Sequence, residues 1–205
     1  TLISKYLKMK NEFKIITNLL PSQSRVLDVG CGDGTLIEAL IKEKNIDARG
    51  IELEKVKVKE CIAKGLSVIE GDAETELSQF PNKAFDFVIL SQTLQAFYQP
   101  ENVLSQLLRI GDRVIISIPN FGYWQIRASL LFFGKMPTTK SLPHTWYDTP
   151  NLHMCSIKDF YEFCEKKEIK IDKVVGINGE KISPINRINL EMKNLFSEVG
   201  IFLVS

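Results

Sequence analysis

From Arg25 to Ile118 the chain alternates short apolar runs with longer amphipathic stretches, and this rhythm restricts the fold more than any other feature. Arg25–Val29, Ala48–Leu53, Leu66–Glu70, Phe85–Leu90 and Arg113–Ile118 read as strands. Phe85–Leu90 is too apolar to alternate, as expected of a strand covered on both faces. Between the strands, Thr35–Lys44 sets Leu36, Ile37, Leu40 and Ile41 on one helical face, and Lys55–Lys64 is closed by Gly65. One or two helical turns fit around Ala73–Ser78. A further helix opens at Pro100, carries Val103, Leu104, Leu107 and Leu108 on one side, and closes at Gly111. Strand–helix alternation of this kind requires right-handed βαβ units, hence a Rossmann-like, doubly wound α/β sheet with helices on both faces.

The flanks extend this scheme. Ile3, Tyr6, Leu7, Phe13, Ile16 and Leu20 fall at helical spacing before Pro21, which predicts an N-terminal helix over 1–21. Phe121–Phe133 also looks helical. Gly134–Cys155 shows no period and contains Pro137, Pro143 and Pro150, so 120–155 reads as a helix followed by a lid or docking loop. Ser156, with Asp159 three residues on, is an N-cap ahead of Phe160, Phe163 and Cys164. Ile169–Gly176 is then a strand, Ile185–Leu195 a helix and Ile201–Val204 a last strand. With 205 residues and no repeat or low-complexity linker, 1–205 is one domain.

Several function classes fall away on composition. Lys and Arg total 26 against 25 Asp and Glu, so no global field draws the chain to nucleic acid. Apolar runs such as Leu130–Phe133 are far too short to span a bilayer. Lys5, Lys8, Lys10 and Lys14 interrupt any signal-peptide core near the N-terminus, and the four cysteines form no C-x-x-C pair. With only two histidines, a zinc cluster is unsupported, and a reduced, cytoplasmic protein without a metal is expected.

Leu27-Asp28-Val29-Gly30-Cys31-Gly32-Asp33-Gly34-Thr35 joins the first strand to the first helix of the alternation. Its glycines allow a tight turn and a close approach of helix-start N–H groups to a ligand. In open parallel sheets the ligand lies outside the carboxyl ends of the strands, where this loop sits. Glu52 ends the second strand and is placed to accept both hydroxyls of a ribose. The spacing is not the G-x-G-x-x-G of a dinucleotide site, and Asp28 would repel a pyrophosphate but attract an ammonium. S-adenosylmethionine carries an ammonium, a carboxylate and no phosphate. Glu70-Gly71-Asp72-Ala73 closes the third strand, with Asp72 placed to accept from the adenine amino group. The glycines alone also fit a plain βα turn, and Glu52 and Asp72 singly also fit solvated carboxylates. Their joint placement at successive strand ends is the stronger signal. Cys31 and Asp33 read as loop-geometry residues, without a neighbouring base to activate the thiol.

The acceptor side is less defined. Ser91-Gln92-Thr93-Leu94-Gln95-Ala96 follows the fourth strand and has neither the Pro-Pro-aromatic nor the Pro-Cys motif of base-modifying methyltransferases. Methyl transfer from a sulfonium is an in-line displacement, so an enzyme contributes mainly alignment, with a general base only when the acceptor must lose a proton. Gln92, Gln95, Asn120, Trp124, Trp146, Tyr147, Asp148 and His153 are candidate acceptor-side groups. Of these, His153, Tyr147 and Asp148 are the candidates for catalysis, although a histidine placed like His153 is more often a loop histidine hydrogen-bonded to backbone near the Ser156 cap. Tyr123, Trp124, Trp146 and Tyr147 fit a substrate pocket or an interface as well as simple core packing, and Arg127, Lys135 and Lys140 fit solvated positions.

The cofactor motifs resemble those of class I S-adenosylmethionine-dependent methyltransferases. More narrowly, Arg25 to Ser205 resembles the MetW family of methionine biosynthesis, most specifically in Ser91-Gln92-Thr93-Leu94-Gln95 and Trp146-Tyr147-Asp148-Thr149-Pro150-Asn151. Val68–Asp72, Ile118–Trp124 and Lys135-Met136-Pro137 add to it. The resemblance implies a seven-stranded sheet with its last strand antiparallel. It places Asp28, Gly30, Gly32, Glu52 and Asp72 at cofactor positions, with Cys31, Leu53, Ala73, Leu90 and Ser91 beside them. It also implies S-adenosylmethionine or S-adenosylhomocysteine as ligand and a role beside a MetX-like homoserine O-acyltransferase as partner or activator. A methyltransferase acting on a small molecule is the alternative; a cofactor-free interaction module conflicts with the retained glycines and carboxylates.

Overall fold

In this computed structural model the backbone is described for residues 2–139 and 141–205, and side chains from residue 11 onward except residue 140. The expected apolar positions Ile3, Tyr6 and Leu7, the basic positions Lys5, Lys8 and Lys10, and Lys140 lie outside those described side chains. The helix α1 (Leu2–Leu19) ends before Pro21 and leads into β1 (Arg25–Val29), whose Val26, Leu27, Asp28 and Val29 are all buried. The chain continues through α2 (Thr35–Lys44), β2 (Asp47–Glu52), α3 (Lys55–Ala63), β3 (Ser67–Glu70) and the single turn α4 (Ala73–Glu76). Then follow β4 (Phe85–Ser91), α5 (Pro100–Ile110), β5 (Gly111–Pro119), α6 (Trp124–Phe133) and α7 (Ile157–Lys166). The hairpin β6 (Ile171–Asn178) and β7 (Lys181–Ile185), the helix α8 (Leu190–Phe196) and β8 (Val199–Val204) complete the chain.

One sheet runs in the order β3-β2-β1-β4-β5-β8-β6-β7. The first five of these strands are parallel, and β8 inserts antiparallel to both β5 and β6. The antiparallel last strand is as expected. The strand count is not: the sheet has eight strands because β7 pairs antiparallel with β6. The expected helix Ile185–Leu195 is corrected accordingly, since Ile185 ends β7 and the helix starts only at Leu190. Pro184 obscures this strand in the sequence, yet a proline is tolerated because β7 is the edge. The turn uses Gly179 at φ 57°, a left-handed conformation suited to a tight hairpin.

The two faces of the sheet hold separate apolar clusters. Helices α1 and α2 cover one with Ile15, Ile16 and Leu20 against Leu36, Ile37 and Leu40. On the other, α5 buries Val103, Leu104, Leu107 and Ile110, and α7 buries Ile157, Phe160 and Cys164. The predicted Ser156 cap is a full capping box: Asp159 N–H donates to Ser156 Oγ, and Ser156 N–H donates to Asp159 Oδ2. Residues 134–155 form no helix or strand among those described. Covered on both faces, the sheet leaves the carboxyl ends of its parallel strands as the place where backbone groups and loops meet.

Candidate functional site

The loop after β1 is held by backbone. Gly30 and Cys31 N–H groups both donate to Ile51 O, at 2.8 and 3.2 Å, which fastens the loop to β2. Gly34 has φ 75°, and a Cβ there would lie 2.4 Å from Leu66 Cδ1 and 2.9 Å from Cys61 Sγ, so only glycine fits. Gly32 has φ 59° with nothing within 4 Å of a Cβ position, leaving open space on the ligand side. Glu52, 7% exposed, accepts from Gly32 N–H through Oε2 at 2.8 Å and from Glu54 N–H through Oε1 at 2.9 Å. The carboxylate at the end of β2 therefore shapes the glycine loop itself. Each oxygen retains a further lone-pair direction for a hydroxyl.

Asp28 and Gln95 are the unusual groups. Asp28 is 2% exposed and its Oδ1 has no hydrogen-bond partner among the described residues. Burial, reinforced by the negative charge of Glu52, pushes its carboxyl up to about 7. Gln95 is 5% exposed; its Nε2 donates to Gln92 O at 2.9 Å, while its Oε1 is likewise buried and unpartnered. Both side chains line a cavity of about 330 Å3 together with Gly30, Gly32, Ser91 and Gln92. Orphaned acceptors beside a cavity carry a desolvation cost that an occupant donating N–H groups removes. The fourth wall comes from the loop, where Ser141, His144 and Asn151 face the same space.

A third acid enters from an unexpected direction. Glu12 of α1 is 1% exposed and lines the same cavity. Its Oε1 accepts from Ser91 Oγ at 2.8 Å and from Ser117 Oγ, and its Oε2 accepts from Gln92 Nε2 at 2.5 Å. Gln92 has φ 51°, and its N–H donates to both O and Oγ of Ser117 at 3.0 Å. Backbone in this region for a non-glycine residue persists only where surrounding contacts enforce it. Sequence reasoning missed Glu12. The signal was present, because Glu12 shares the buried stripe of α1 with Ile15 and Ile16, where an acid needs a reason.

The other candidates are distributed as follows. Asp28, Gly30, Cys31, Gly32 and Ser91 line the cavity. Asp72 lies at the far flank, exposed, with Oδ1 accepting from Glu74 N–H at 2.9 Å, so it caps α4. Ala73 is buried beside it and Leu53 is 66% exposed. Leu90 is wholly buried in the core. The Cys31 thiol is pushed up chiefly by burial, then by Asp28, and burial also raises Cys155 and Cys164 to about 12, so none is a ready nucleophile. His153 borders a second, apolar cavity of about 360 Å3 with Leu94, Leu104, Ile118, Phe160 and Phe163; Gln95 lines both cavities. The histidine facing the first cavity is His144, which the sequence reading passed over.

Tyr147 and Asp148 are exposed, and Trp146, 77% exposed, meets Tyr147 edge-on at 5.6 Å, so this aromatic pair stands in solvent. Asn120 is instead fully committed to structure. Its Nδ2 donates to Asn194 O at 2.6 Å and Ser197 O at 2.7 Å, while Oδ1 accepts from Gly122 and Ile157 N–H groups at 2.9 and 3.2 Å. No group of three His, Cys, Asp or Glu side chains is placed to hold a metal among the described residues. No helix among them is long and apolar enough to cross a membrane.

The fold is shared with solved structures at low sequence identity. A methyltransferase of Thermotoga maritima, described as S-adenosylmethionine-dependent and a possible histamine N-methyltransferase, superposes with a TM-score of 0.69 at 17% identity, over 99% of this chain and 91% of its own. An S-adenosylmethionine-dependent methyltransferase of Archaeoglobus fulgidus gives 0.67 at 18% identity, over 97% and 93%. The bifunctional methionine biosynthesis protein MetXA/MetW of Rhodopirellula baltica is 32% identical over 187 residues. That match covers 85% of this chain but only 30% of the relative's length. Residues 10–204 match the family described as methionine biosynthesis protein MetW. The protein therefore has the methyltransferase fold and belongs to the MetW family of methionine biosynthesis.

Proposed function

We propose that this protein binds S-adenosylmethionine in the Asp28–Gln95 cavity and uses it to regulate a MetX-like homoserine O-acyltransferase. The observation that carries the ligand is the pair of buried, unpartnered acceptors beside an open glycine loop. An ammonium supplies the N–H donors that Asp28 Oδ1 lacks, and its charge holds that carboxyl ionised. The N–H groups of Gly30, Cys31 and Gly32 are already held by Ile51 O and Glu52, so the loop offers the ligand its open backbone surface, while Glu52 and Asp72, at the ends of β2 and β3, suit ribose and adenine. Cys31 and Ser91 supply walls of the cavity, Leu53 and Ala73 flank Glu52 and Asp72 in the chain, and Leu90, wholly buried, stays behind Ser91 in β4. When bound, the ligand brings an activated methyl; the chain's own residues bind, orient and exclude water.

The partner reading rests on the Rhodopirellula baltica relative, whose name joins MetXA and MetW in one chain. A binding signal reaches such a partner only if the ligand favours one conformation or assembly over another. Calorimetric titration with S-adenosylmethionine tests the ligand. Assay of homoserine acylation by the same organism's acyltransferase, with and without this protein and ligand, tests the role. Unchanged acylation under all conditions would refute it.

A second reading is favoured by the apolar cavity that adjoins the first across Gln95. It makes the protein a methyltransferase whose small, apolar acceptor sits beside His153. Labelled methyl transfer to a metabolite extract would establish it, and absence of label would exclude it. For both readings we propose a cytoplasmic setting, with neither membrane nor nucleic acid as partner.

A further inference from the structure

Protein interiors leave few voids larger than a water molecule, so a cavity of about 360 Å3 between α5 and α7 calls for an occupant. Its floor is hydrocarbon: Leu94, Leu104, Ile118 and Phe160 line it and are all buried. One wall is aromatic. Phe163 stacks on Phe160 with ring centroids 6.2 Å apart, and Phe160 meets Phe202 edge-on at 4.7 Å. The capping box at Ser156 fixes the start of the same helix, so these rings are in place before any ligand arrives. The end of the long loop closes another side. Gln95 O accepts from the N–H groups of Leu152 and His153 at 2.9 and 3.0 Å, which brings His153 and Cys155 to the lining.

The charged groups stand at the mouth, where Glu101, His153 and Asp159 border the cavity and are exposed. Glu101 pairs with Lys167, and Asp159 Oδ2 accepts from Ser156 N–H and Oγ at 2.9 and 2.7 Å. Carboxylates at the mouth repel an anion, and the hydrocarbon floor gives a charged group nothing in exchange for its water. We propose that this cavity binds a small aromatic molecule that carries no anionic group. A body of one or two fused rings suits such a volume, lies against Phe160 and Phe163, and displaces water from the floor. The inference takes up the cavity of the second reading and names the class of its ligand. It concerns binding alone, and it holds whether that ligand receives a methyl group or acts as an effector. Gln95 borders both cavities, so the two ligands sit side by side rather than in each other's place.

Indole is the probe, with indole-3-acetate as its anionic counterpart, titrated into the full chain by calorimetry. Indole should bind with a dissociation constant of about 1 mM or lower, and indole-3-acetate on the order of tenfold more weakly. Ring-current shifts in the methyl NMR signals of Leu94, Leu104 and Ile118 should locate the indole, and they should persist in saturating S-adenosylmethionine. Cys155→Trp places a ring in the cavity from the loop side; a variant shown by thermal melting to be folded should lose indole binding at least tenfold. Should that variant not fold, the methyl shifts of the wild-type decide alone. Absence of indole binding, shifts confined to other residues, displacement by S-adenosylmethionine, or equal affinity for indole-3-acetate overturns the proposal. Failure of S-adenosylmethionine itself to bind overturns the cofactor reading and leaves this one to the methyl shifts. Indole bound without any labelled methyl transfer removes the second reading and leaves the site standing.

Discussion

Asp28 couples the ligand site to proton binding. In the unfolded chain its carboxyl has the ordinary value of 3.8, whereas in the folded protein it is raised to about 7, first by burial and then by Glu52. Between those values the folded state holds a proton that the unfolded chain has released, so stability falls as pH rises through the window. The slope is at most about 1.4 kcal/mol per pH unit, and the full penalty is present above the folded value. Asp28→Asn removes the ionisation; its thermal midpoint at pH 8 should exceed that of the wild-type, and its melting curve should lose this pH dependence. The same variant should lose S-adenosylmethionine binding. In the wild-type a cationic ligand draws Asp28 into its ionised form, so affinity should fall by up to about tenfold per pH unit below the folded value and level off above it. Titrations in buffers of different ionisation enthalpy would show proton release at pH 6 and little at pH 8. Glu12, Cys31 and His144 border the same cavity, and Glu52 opposes Asp28 from β2; a Glu52→Gln variant should shift the midpoint downward.

At the scale of elements, one side chain ties four pieces of backbone. Asn120 follows β5 and bonds the end of α8, Ser197, the turn at Gly122 and the start of α7. Asn120→Ala orphans two carbonyls and two N–H groups in the interior and should cost about 3 kcal/mol or more, read as a lower urea midpoint. Ser156→Ala, which removes one side-chain cap, should cost about 1 kcal/mol. The contrast separates what the sequence makes legible from what it hides. Strands, α5 and the Ser156 cap declare themselves through period and local chemistry. Asn120 does not, because its partners lie up to 77 residues away, and the same residue type at a strand end equally suits a substrate contact. Likewise β7 is hidden by Pro184, which only the sheet edge excuses. At the site, Asp28, Glu52 and the glycines follow a local spacing, whereas Glu12 and His144 arrive from elements that only the tertiary fold brings to β4.

Across the whole molecule the central strands bury their apolar residues on both faces, whereas the end of α6 leaves a consecutive run of them in water. Helix α6 buries Ile126 but leaves Leu131, Phe132 and Phe133 at 77%, 74% and 76% exposure. Nearby in sequence, Met136 and the Trp146–Tyr147 pair are exposed as well. Apolar side chains of this size, left in water on consecutive positions, mark an interaction surface in a folded chain. The occupant to test first is the acyltransferase of the proposed function, since the name of a relative joins MetXA and MetW in one polypeptide. Ser141 and His144, in the segment that follows α6, border the ligand cavity. A ligand that orders this segment would alter the docking face, which supplies the differential affinity that regulation requires. Replacing Phe132 and Phe133 together with Ser should therefore abolish co-purification with the acyltransferase and its response to this protein. S-adenosylmethionine affinity and thermal stability should stay within about twofold and about 1 kcal/mol of the wild-type, because exposed side chains contribute little to the folded state. Retained acyltransferase binding in the double variant would refute this surface. Loss of self-association instead, seen as a shift in sedimentation of the protein alone, would identify a second copy of the chain as its occupant.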